Sequence, residues 1–367
     1  MSFFKPVEEN LPAWLTDPSD YSDIAISSRA RIARNLKGYP YCQKISPHQA
    51  KEIIEKVNNI LKKQKISKNI MFINLKFLPP VSKTFLKERF LATEYLLQGS
   101  HKEIIADKKE SYAILINEED HIRIQAITGG FSIDKAYKKA SSIESILEDN
   151  VEFDFTEHFG YLTACPTNTG TGLRISVMLH LPGLTLKKKI KDMLHSLAEM
   201  GFSIRGFYGE GSDSFGSIYQ ISNQHTLGLS EKDILKKMSH VFHEIYSMEI
   251  KVQKELKVNN LKSIRDRVNQ SFHLLQNTDS LDLKHSLELL SDIRLGHLLK
   301  IVKFPDLSIL NKLLILIQPM HLLNLYNISS DDFNKEAEDR LRATILRKYF
   351  QGAKHVRTVY SQSPTDH

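Results

Sequence analysis

The chain has 367 residues, which is long enough for two or three domains. Hydrophobic residues make up 41% of it and charged residues 25%, which excludes an intrinsically disordered protein, and the longest apolar run, residues 313–317, is far too short to span a membrane. The net charge of +7 indicates an acidic partner such as nucleic acid, a phosphate-bearing ligand or an acidic protein surface.

The first half of the chain alternates helical and extended patterns. Residues 47–64 follow a predicted N-cap at Ser46 and place apolar residues at helical spacing, which predicts an amphipathic helix. Residues 111–117 and 121–128 predict two strands joined by an acidic tip, which is the pattern of a hairpin. Residues 132–149 return to the helical period.

Two more strand pairs follow. Residues 159–165 and 173–182 predict strands on either side of the polar stretch "CPTNTGTGLR", and residues 185–200 predict a helix that ends at Gly201. Residues 202–209 and 216–223 predict a further pair around a glycine-rich loop. Because few segments read as the buried strands of a parallel sheet, we predict an α+β fold.

Beyond about residue 230 the pattern is almost wholly helical, with amphipathic stretches at 281–302, 307–326 and 331–350. We therefore predict a catalytic domain at 1–255 and a helical C-terminal domain at 256–367. Basic runs at 186–191 and 347–357 are typical of solvated faces, so nucleic acid is not the favoured partner.

The cysteine content and the N-terminal residues further narrow the class of protein. The sequence contains two cysteines, Cys42 and Cys165, which excludes a disulfide scaffold and a zinc site built from cysteines. Residues 1–10 hold no basic segment followed by a long apolar stretch, so we expect a cytoplasmic protein with no membrane association.

Arginines recur beside turns and strand ends. A guanidinium is permanently charged and its planar fork suits phosphate oxygens, so several in one cleft would hold a polyphosphate. Any single arginine at a strand edge more often reaches solvent, but five or six together favour the anion site. The candidates are Arg29, Arg31, Arg34, Arg123, Arg174 and Arg205.

The stretch at 165–174 fits the same idea, because small residues let backbone N–H groups approach an anion. It matches neither a Walker loop nor a dinucleotide fingerprint, and a plain connection between strands is the simpler interpretation. Cys165 at its start is either a small core residue or a reactive thiol.

Acidic residues lie in two loops, Glu118 to Asp120 at the hairpin tip and Glu210 in "YGEGSD". Acids at exposed turns usually serve solubility, but each of these loops adjoins a candidate phosphate-binding arginine. A carboxylate beside a bound polyphosphate would be repelled unless it faced a cation. The pattern therefore indicates magnesium or a positively charged substrate.

Three motifs together resemble those of the phosphagen (guanidino) kinase family: "SSRARIAR", "INEEDHIRIQAI" and "YLTACPTNTGTGLRISV". The loop "RGFYGEGSD" and the helical C-terminal region are most similar to the bacterial protein-arginine-kinase (McsB) branch, and the similarity covers essentially the whole chain. The resemblance implies a glutamine-synthetase-like antiparallel sheet with helices packed on one side, followed by a helical C-terminal domain.

The resemblance also implies roles for individual residues. Glu119 would be the catalytic carboxylate, Glu210 a second acid on the guanidinium, and Cys165 the reactive cysteine of the family. ATP would bind with magnesium carried by its phosphates rather than by protein ligands. The implied ATP-binding residues are Ser27, Ser28, Arg29, Ala30, Arg31, Arg89, Arg123, Arg174, Ile175, Ser176, Val177, Met178, Arg205, Gly206, Phe207, Tyr208, Gly209 and Glu210.

The implied activity is transfer of the γ-phosphoryl group of ATP to arginine side chains in proteins, marking them for Clp-type proteolysis. Implied partners are proteins with accessible arginines, an activator of the McsA type, a Clp ATPase and a second copy of the chain. Because this sequence shows no counterpart of the N-terminal domain that covers small guanidines, we expect an open site. A kinase for free arginine and a non-catalytic phosphoarginine-binding adaptor are the alternatives.

Two positions depart from the family pattern. The C-terminal motif R-D-x-x-R-A, which binds phosphoarginine, corresponds to "EDRLRA" at 338–343, so Glu338 replaces the first arginine. Asp339 and Arg342 remain the candidate phosphoarginine ligands. Arg89 stands where the alignment places a histidine that touches the nucleotide, and an arginine also suits an anion there.

Overall fold

A computed structural model describes residues 11–17, 19–206, 215–302, 306–329 and 331–351. Within these ranges the chain forms ten strands and twelve α-helices. The strands are β1 (Ala25–Arg34), β2 (Ile70–Asn74), β3 (Glu103–Asp107), β4 (Tyr112–Ile116), β5 (Ile122–Gly129), β6 (Phe155–Thr156), β7 (Gly160–Tyr161), β8 (Leu173–His180), β9 (Phe202–Gly206) and β10 (Ile218–Asn223). The helices are α1 (Pro47–Lys62), α2 (Pro80–Glu88), α3 (Glu94–Leu97), α4 (Ile133–Glu148), α5 (Pro182–Leu186), α6 (Ile190–Glu199), α7 (Glu231–Asn259), α8 (Leu261–Asn277), α9 (Leu283–Leu298), α10 (Leu307–Leu316), α11 (Pro319–Leu325) and α12 (Lys335–Gln351).

Eight of these strands form one antiparallel sheet, in the order β2-β3-β4-β5-β1-β8-β10-β9. The central strand β1 pairs with β5 on one side and β8 on the other. Strands β6 and β7 make a separate short hairpin.

Helices cover one face of the sheet. Helix α4 lies against β1 and β5, and α7 lies against β8 and β10. Side chains such as Ile32, Ile124 and Ile175 point to this face and are almost fully buried there. Because side chains alternate along a strand, the odd-numbered Arg29 and Arg31 of β1 lie on the opposite face. The fold therefore separates a packed core from a polar face.

Arg34 fixes the end of β1 on the covered face. It forms a buried ion pair with Glu144 of α4 and donates hydrogen bonds to the carbonyls of Ala33 and Thr171, at 2.7 and 2.9 Å. Gly172 has φ +62°, and a Cβ there would lie 2.5 Å from Nη1 of Arg34. The second glycine of "GTG" is thus required by this positive φ and by the backbone carbonyl oxygen of Ala33, 2.6 Å from where a Cβ would lie. Arg34 serves the core and not an anion site.

Most predicted elements of the first 230 residues are confirmed. Helix α1 begins with a capping box between Ser46 and Gln49. Strands β4 and β5 are adjacent and antiparallel, as are β9 and β10, and helix α4 fills the predicted stretch at 132–149.

Two predicted elements are wrong in extent. Residues 159–165 hold only the two-residue strand β7, because the segment then turns so that the N–H of Ala164 donates to Asp120. The predicted helix at 185–200 is two helices, α5 and α6. They are separated at Lys188, whose φ of +57° is incompatible with a continuous right-handed helix.

The helical region after residue 230 contacts the sheet region through buried polar groups. Arg294 of α9 donates to the carbonyl of Ser22 at 2.6 Å, and Glu88 of α2 accepts from the first N–H groups of α11 and from Nδ1 of His321. Helix α7 runs through residue 255, so the predicted domain boundary falls inside a helix and remains a prediction.

Helices α10 and α11 are the most apolar pair. They meet at 91°, and together they have the length and composition of a broken membrane span, although no single helix within the described residues does. Side chains of α10 such as Leu313 and Ile315 are fully buried among the other helices.

Candidate active site

Five arginines converge on the open face of the sheet. The register places Arg31 directly opposite Arg174 of β8, while Arg29 lies two residues from Arg31 on the same face. Arg123 lies two residues before Gln125, the partner of Arg31 on β5. Arg205 is brought to this face by the pairing of β9 with β10. The predicted arginine cluster is therefore a feature of the fold.

Electrostatic repulsion among these arginines favours the binding of an anion on this face. Burial together with the charges of Arg123, Arg174 and Arg205 lowers the pKa of Arg29 to about 9. The same causes, together with Arg29 itself, hold the pKa of Arg31 well below its usual range. The Nε of Arg31 is buried with no hydrogen-bond partner among the described residues. A bound polyanion would relieve both the repulsion and this unpaired donor.

Small hydroxyl side chains orient one member of the cluster. Nε of Arg174 donates to Ser222 at 3.2 Å, and Nη2 donates to Ser203 at 2.7 Å. Both serines lie on neighbouring strands of the same face. These hydroxyl partners fix the orientation of the guanidinium fork of Arg174 on the open face.

The acidic tip between β4 and β5 is rigidly held. Glu118 accepts from Arg123 and from the hydroxyl of Thr93, both at 2.6 Å. Burial alone would raise the pKa of Glu118, but Arg123 and Thr93 hold it below its ordinary value. Asp120 accepts from Asn35 and from the N–H of Ala164, both at 2.7 Å. Two of the three acids are thus used to build the loop.

Glu119 lies between these two held acids and is half-buried. Burial, Asp120 and Glu118 raise the pKa of its carboxyl group, while Arg123 and Arg174 lower it. Its neighbour Glu118 is hydrogen-bonded to Arg123, which places this loop at the edge of the arginine face. Glu119 is therefore a base of increased strength beside an anion site.

The polar stretch at 165–174 closes one side of this region. Its turn Pro166–Asn168 follows Cys165, whose Sγ lies 3.0 Å from the hydroxyl of Thr167. Cys165 is partly exposed, so it is not the fully buried core residue that one interpretation predicted. Its role as a reactive thiol remains a prediction.

The predicted ATP-binding stretches alternate between the two faces of the sheet. Ser27, Ser176 and Met178 share the open face with Arg29 and line one cavity with it. Gly206 ends β9, and residues 207–214, which include Phe207, Tyr208, Gly209 and Glu210, lie outside the described residues.

The other members of these stretches face the core, because β-strand side chains alternate. Each of these side chains is at most 1% exposed, so only the backbone of these residues could face a nucleotide, and their role in ATP binding stays a prediction. They are Ser28, Ala30, Ile175 and Val177.

Arg89 is buried in an ion pair. Its guanidinium forms a two-pronged ion pair with Glu110, both distances being 2.7 Å, and is 4% exposed. The next residue, Phe90, lines the cavity beside Arg29 instead. Nucleotide contact by Arg89 stays a prediction.

The altered C-terminal motif forms a closed internal cluster. Arg342 is fully buried and pairs with both Glu338 and Asp339. It also donates to the carbonyls of Ile317 and Leu281, at 2.9 and 3.0 Å. The guanidinium predicted to hold a phosphate is therefore already neutralised, and Glu338, which replaces the family arginine, supplies one of the two negative charges.

Sequence reasoning did not assign roles to Asn35, Thr93 and Phe90. Asn35 follows directly after "SSRARIAR", and this position next to the motif could have indicated a structural role. Thr93 and Phe90 lie in a segment without a recognisable pattern, and only the folded chain brings them to the site.

An arginine-lined anion face beside a basic carboxylate defines a phosphotransferase site, and comparison with known families agrees. The model for the ATP:guanido phosphotransferase C-terminal catalytic domain matches residues 52–252, and the chain belongs to this family. The model for the C-terminal domain of protein-arginine kinase McsB matches residues 261–361.

Two relatives match this chain over nearly their whole length. A protein-arginine kinase of Clostridium tetani is 36% identical over 335 residues, covering 91% of this chain and 97% of the relative. One of Bacillus cereus is 37% identical over 355 residues, covering 95% and 98%. The predicted family is confirmed.

Two solved structures confirm the fold class. The duplicated taurocyamine kinase from Schistosoma mansoni superposes with a TM-score of 0.59 at 22% identity, covering 72% of this chain and 40% of the other. A lombricine kinase superposes with a TM-score of 0.57 at 21% identity, covering 67% and 72%.

The raised pKa of Glu119 predicts a shifted acid limb in the pH profile. A base must be deprotonated, so activity is lost as the pH falls through its pKa, and we expect this loss above pH 4.5, the ordinary value. Replacing Arg174 with Met should move the limb to still higher pH, because the Arg174 charge lowers that pKa. Arg174→Lys, which keeps the charge, is the control. If activity were lost at the same pH in Arg174→Met and Arg174→Lys, the assignment of this limb to Glu119 would be contradicted.

The buried cluster around Arg342 predicts a structural role. Arg342→Met leaves only the exposed Lys335 to pair with Glu338 and Asp339 and removes the donors to the carbonyls of Ile317 and Leu281, so the free energy of unfolding should fall by about 3–5 kcal/mol. Arg340→Met on the same helix breaks only an exposed pair with Glu336 and should cost under about 1 kcal/mol. Urea denaturation followed by circular dichroism measures both. Equal small losses would show that Arg342 is dispensable for folding.

Proposed function

We propose that the protein is an ATP-dependent protein-arginine kinase whose catalytic base is Glu119. The observation that carries this proposal is the half-buried carboxylate of Glu119 beside a face of five arginines. An enzyme that phosphorylates a guanidinium must bind a polyanion and a cation side by side. The arginine face supplies the first requirement, and Glu119 supplies the second.

The chemistry requires a base at this position. An arginine side chain has a pKa above about 12 and is a poor nucleophile until it loses a proton. Glu119 accepts that proton as the guanidinium nitrogen attacks the γ-phosphorus of ATP. The bond from that phosphorus to the β–γ bridging oxygen breaks, and ADP leaves. Burial and neighbouring acids raise the pKa of Glu119, which makes it a stronger base.

Positioning provides the remainder of the catalysis. Phosphoryl transfer needs the attacking nitrogen in line with the leaving oxygen, and charge stabilisation on the equatorial oxygens. Arg29, Arg31 and Arg174 would bind these oxygens from one rigid sheet. A magnesium ion bound to the nucleotide would neutralise further charge. The phosphates of the nucleotide would be its main ligands.

Arginine in proteins is the proposed acceptor. The curated relatives that match nearly their whole length with this chain are protein-arginine kinases. We keep Glu210 as the proposed second acid on the guanidinium, from its position in the family motif. A carboxylate would suit a cationic arginine side chain better than an apolar residue would.

Wider roles rest on family membership alone. We propose that the enzyme marks proteins for Clp-type proteolysis in the cytoplasm and that an activator of the McsA type, a Clp ATPase and a second copy of the chain are its partners. The closed cluster at Arg342 argues that the phosphoarginine pocket of the C-terminal motif is not retained.

Glu119→Gln tests the catalytic assignment. The amide would keep the size of the side chain but could not accept a proton, so turnover should fall by about 10²- to 10⁴-fold. ADP affinity, measured by calorimetry, should stay within about twofold because the arginines are unchanged. Glu157→Gln changes an exposed acid of the β6–β7 turn and should have no effect. Undiminished turnover in Glu119→Gln would refute the role.

Labelled ATP tests the acceptor. The enzyme is incubated with γ-labelled ATP and either free arginine or an unfolded protein such as casein. We expect acid-labile label on casein, because the P–N bond of phosphoarginine hydrolyses in acid. Label on free arginine alone would instead identify a small-guanidine kinase, and no label on either would favour the adaptor.

A further inference from the structure

Three half-exposed apolar side chains meet beside the short hairpin of β6 and β7. The exposed fraction is 54% for Phe155, 48% for Phe159 and 52% for Leu227. Single apolar residues on a surface are ordinary, but a contiguous group of them marks an interaction site. These three side chains line one groove, which is open to solvent and has a volume of about 250 Å³.

The hairpin that carries two of these rings is firmly supported. Tyr161 is the register partner of Phe155, and the centroids of their rings lie 5.2 Å apart. The guanidinium carbon of Arg34 lies 3.4 Å from the centroid of the Tyr161 ring, and the hydroxyl of Tyr161 donates to Glu148 at 2.9 Å. Because these contacts anchor Tyr161 to β1 and α4, the exposed rings are presented from a fixed position.

Leu227 is fixed to the polar stretch at 165–174. The hydroxyl of the preceding residue, Thr226, donates to the carbonyl of Thr169 at 2.6 Å. Gly170 has φ +114°, and a Cβ there would lie 2.8 Å from the Cα of Leu227, so glycine permits this close approach. Gly170 itself belongs to the lining of the groove. The groove is therefore built in part from the segment that closes one side of the active site.

The hairpin also leads directly to the catalytic loop. The N–H and the carbonyl of Tyr161 pair with the carbonyl and the N–H of Gly170, at 2.8 and 3.1 Å. Three residues further along the chain, the N–H of Ala164 donates to Asp120, the neighbour of Glu119. Three extended residues span at most about 11 Å. A short peptide could therefore reach from Glu119 to the groove.

The lining of the groove favours an apolar segment that carries a positive charge nearby. Among the described residues that line it, Glu231 supplies a carboxylate, and neither lysine nor arginine is present. This composition contrasts with the net charge of +7 of the whole chain. A carboxylate at the edge of an apolar groove attracts a cationic side chain next to the bound apolar one. A polypeptide segment with an arginine and apolar neighbours has this chemistry.

The size of the patch argues against a second copy of the chain as its occupant. A large apolar side chain buries about 200 Å² when it is fully covered, so three half-exposed ones offer about 300 Å². A stable dimer needs about 800 Å² from each partner. The patch therefore suits a short peptide segment better than a folded protomer.

We propose that Phe155, Phe159 and Leu227 form a docking surface for apolar side chains of the protein substrate. The docked side chains would lie about three to five residues from the arginine that is phosphorylated. The inference rests on the proposed function, in which that arginine lies at Glu119. Docking would hold the arginine near the base without any contact between the docking surface and the reacting atoms. The enzyme would therefore prefer unfolded polypeptides, in which apolar residues near an arginine are accessible.

A matched pair of peptides tests this preference in the native full-length protein. Both peptides have the same length and one arginine. One carries leucines about three to five residues away on each side of the arginine, and the other carries serines at those positions. We expect kcat/KM to be about tenfold higher for the leucine peptide, through a lower KM, because docking adds binding far from the reacting atoms. Equal values for the two peptides would overturn the proposal.

Variants of the groove test its location. Phe155→Ser and Phe159→Ser should each raise the KM for the leucine peptide by about fivefold or more, and leave kcat and the serine peptide within about twofold. Both side chains are about half exposed, so neither variant removes a core residue, and Leu227→Ser repeats the test on another segment. Phe77→Ser removes a ring outside the groove that is 78% exposed and should change neither peptide. An unchanged preference for the leucine peptide in all three groove variants would refute the docking surface.

The outcomes separate this inference from the function on which it rests. If the native protein labels neither peptide nor casein, the protein-arginine kinase activity is refuted and the docking surface with it. If it labels both peptides with the same kcat/KM, only the docking surface is refuted. Light scattering tests the other occupant. A native oligomer that dissociates in Phe155→Ser would show that this surface joins copies of the chain, and would overturn the proposal.

Discussion

Repulsion between arginines on one face of a rigid sheet is the constraint on which the site depends. Arg31 and Arg174 are direct cross-strand neighbours, where like charges are destabilising. Nothing in the local backbone requires them there, since the strands would form as well with neutral residues. The arrangement is stable only because the rest of the fold holds it, and a polyanion is the ligand that gains most from it.

The opposite face supplies that stability. Apolar side chains of β1, β5 and β8 pack under α4 and α7, and the buried pair of Arg34 with Glu144 ties the strand end to a helix. The same logic governs the acidic tip, where Glu118 and Asp120 are held by several donors each. Structural acids therefore surround Glu119 and raise its pKa, so the loop that positions the base also strengthens it.

Local patterns predicted much of this fold, because capping residues and apolar periodicity act over a few residues. Ser46 capped a helix where expected, and the two hairpin strands formed around the acidic tip. The sequence also contained the signal that Ala30 and Val177 face the core. Side chains alternate between the two faces of a strand, so not every residue of a strand motif can point toward the same ligand.

Contacts between distant segments were beyond the reach of such patterns. Arg89 and Phe90 are adjacent in sequence, yet one is buried in an ion pair with Glu110 and the other lines the cavity beside Arg29. The choice depends on the positive φ of Phe90, which the chain takes up only in its folded surroundings. Trp14 carries no local signal either, because its neighbours come from β5 and from the loop before β4.

The helical region contacts the segment that leads into β1. Arg294 donates to carbonyls of Ser22 and Asp23, just before β1, and pairs with Asn311, which in turn reaches the carbonyl of Leu15. These contacts bracket the segment between Trp14 and β1. A buried cation with several carbonyl and amide partners is costly to displace, so movement of α9 would be transmitted to both. The helical region is therefore tied by direct hydrogen bonds to the residues that lead into β1.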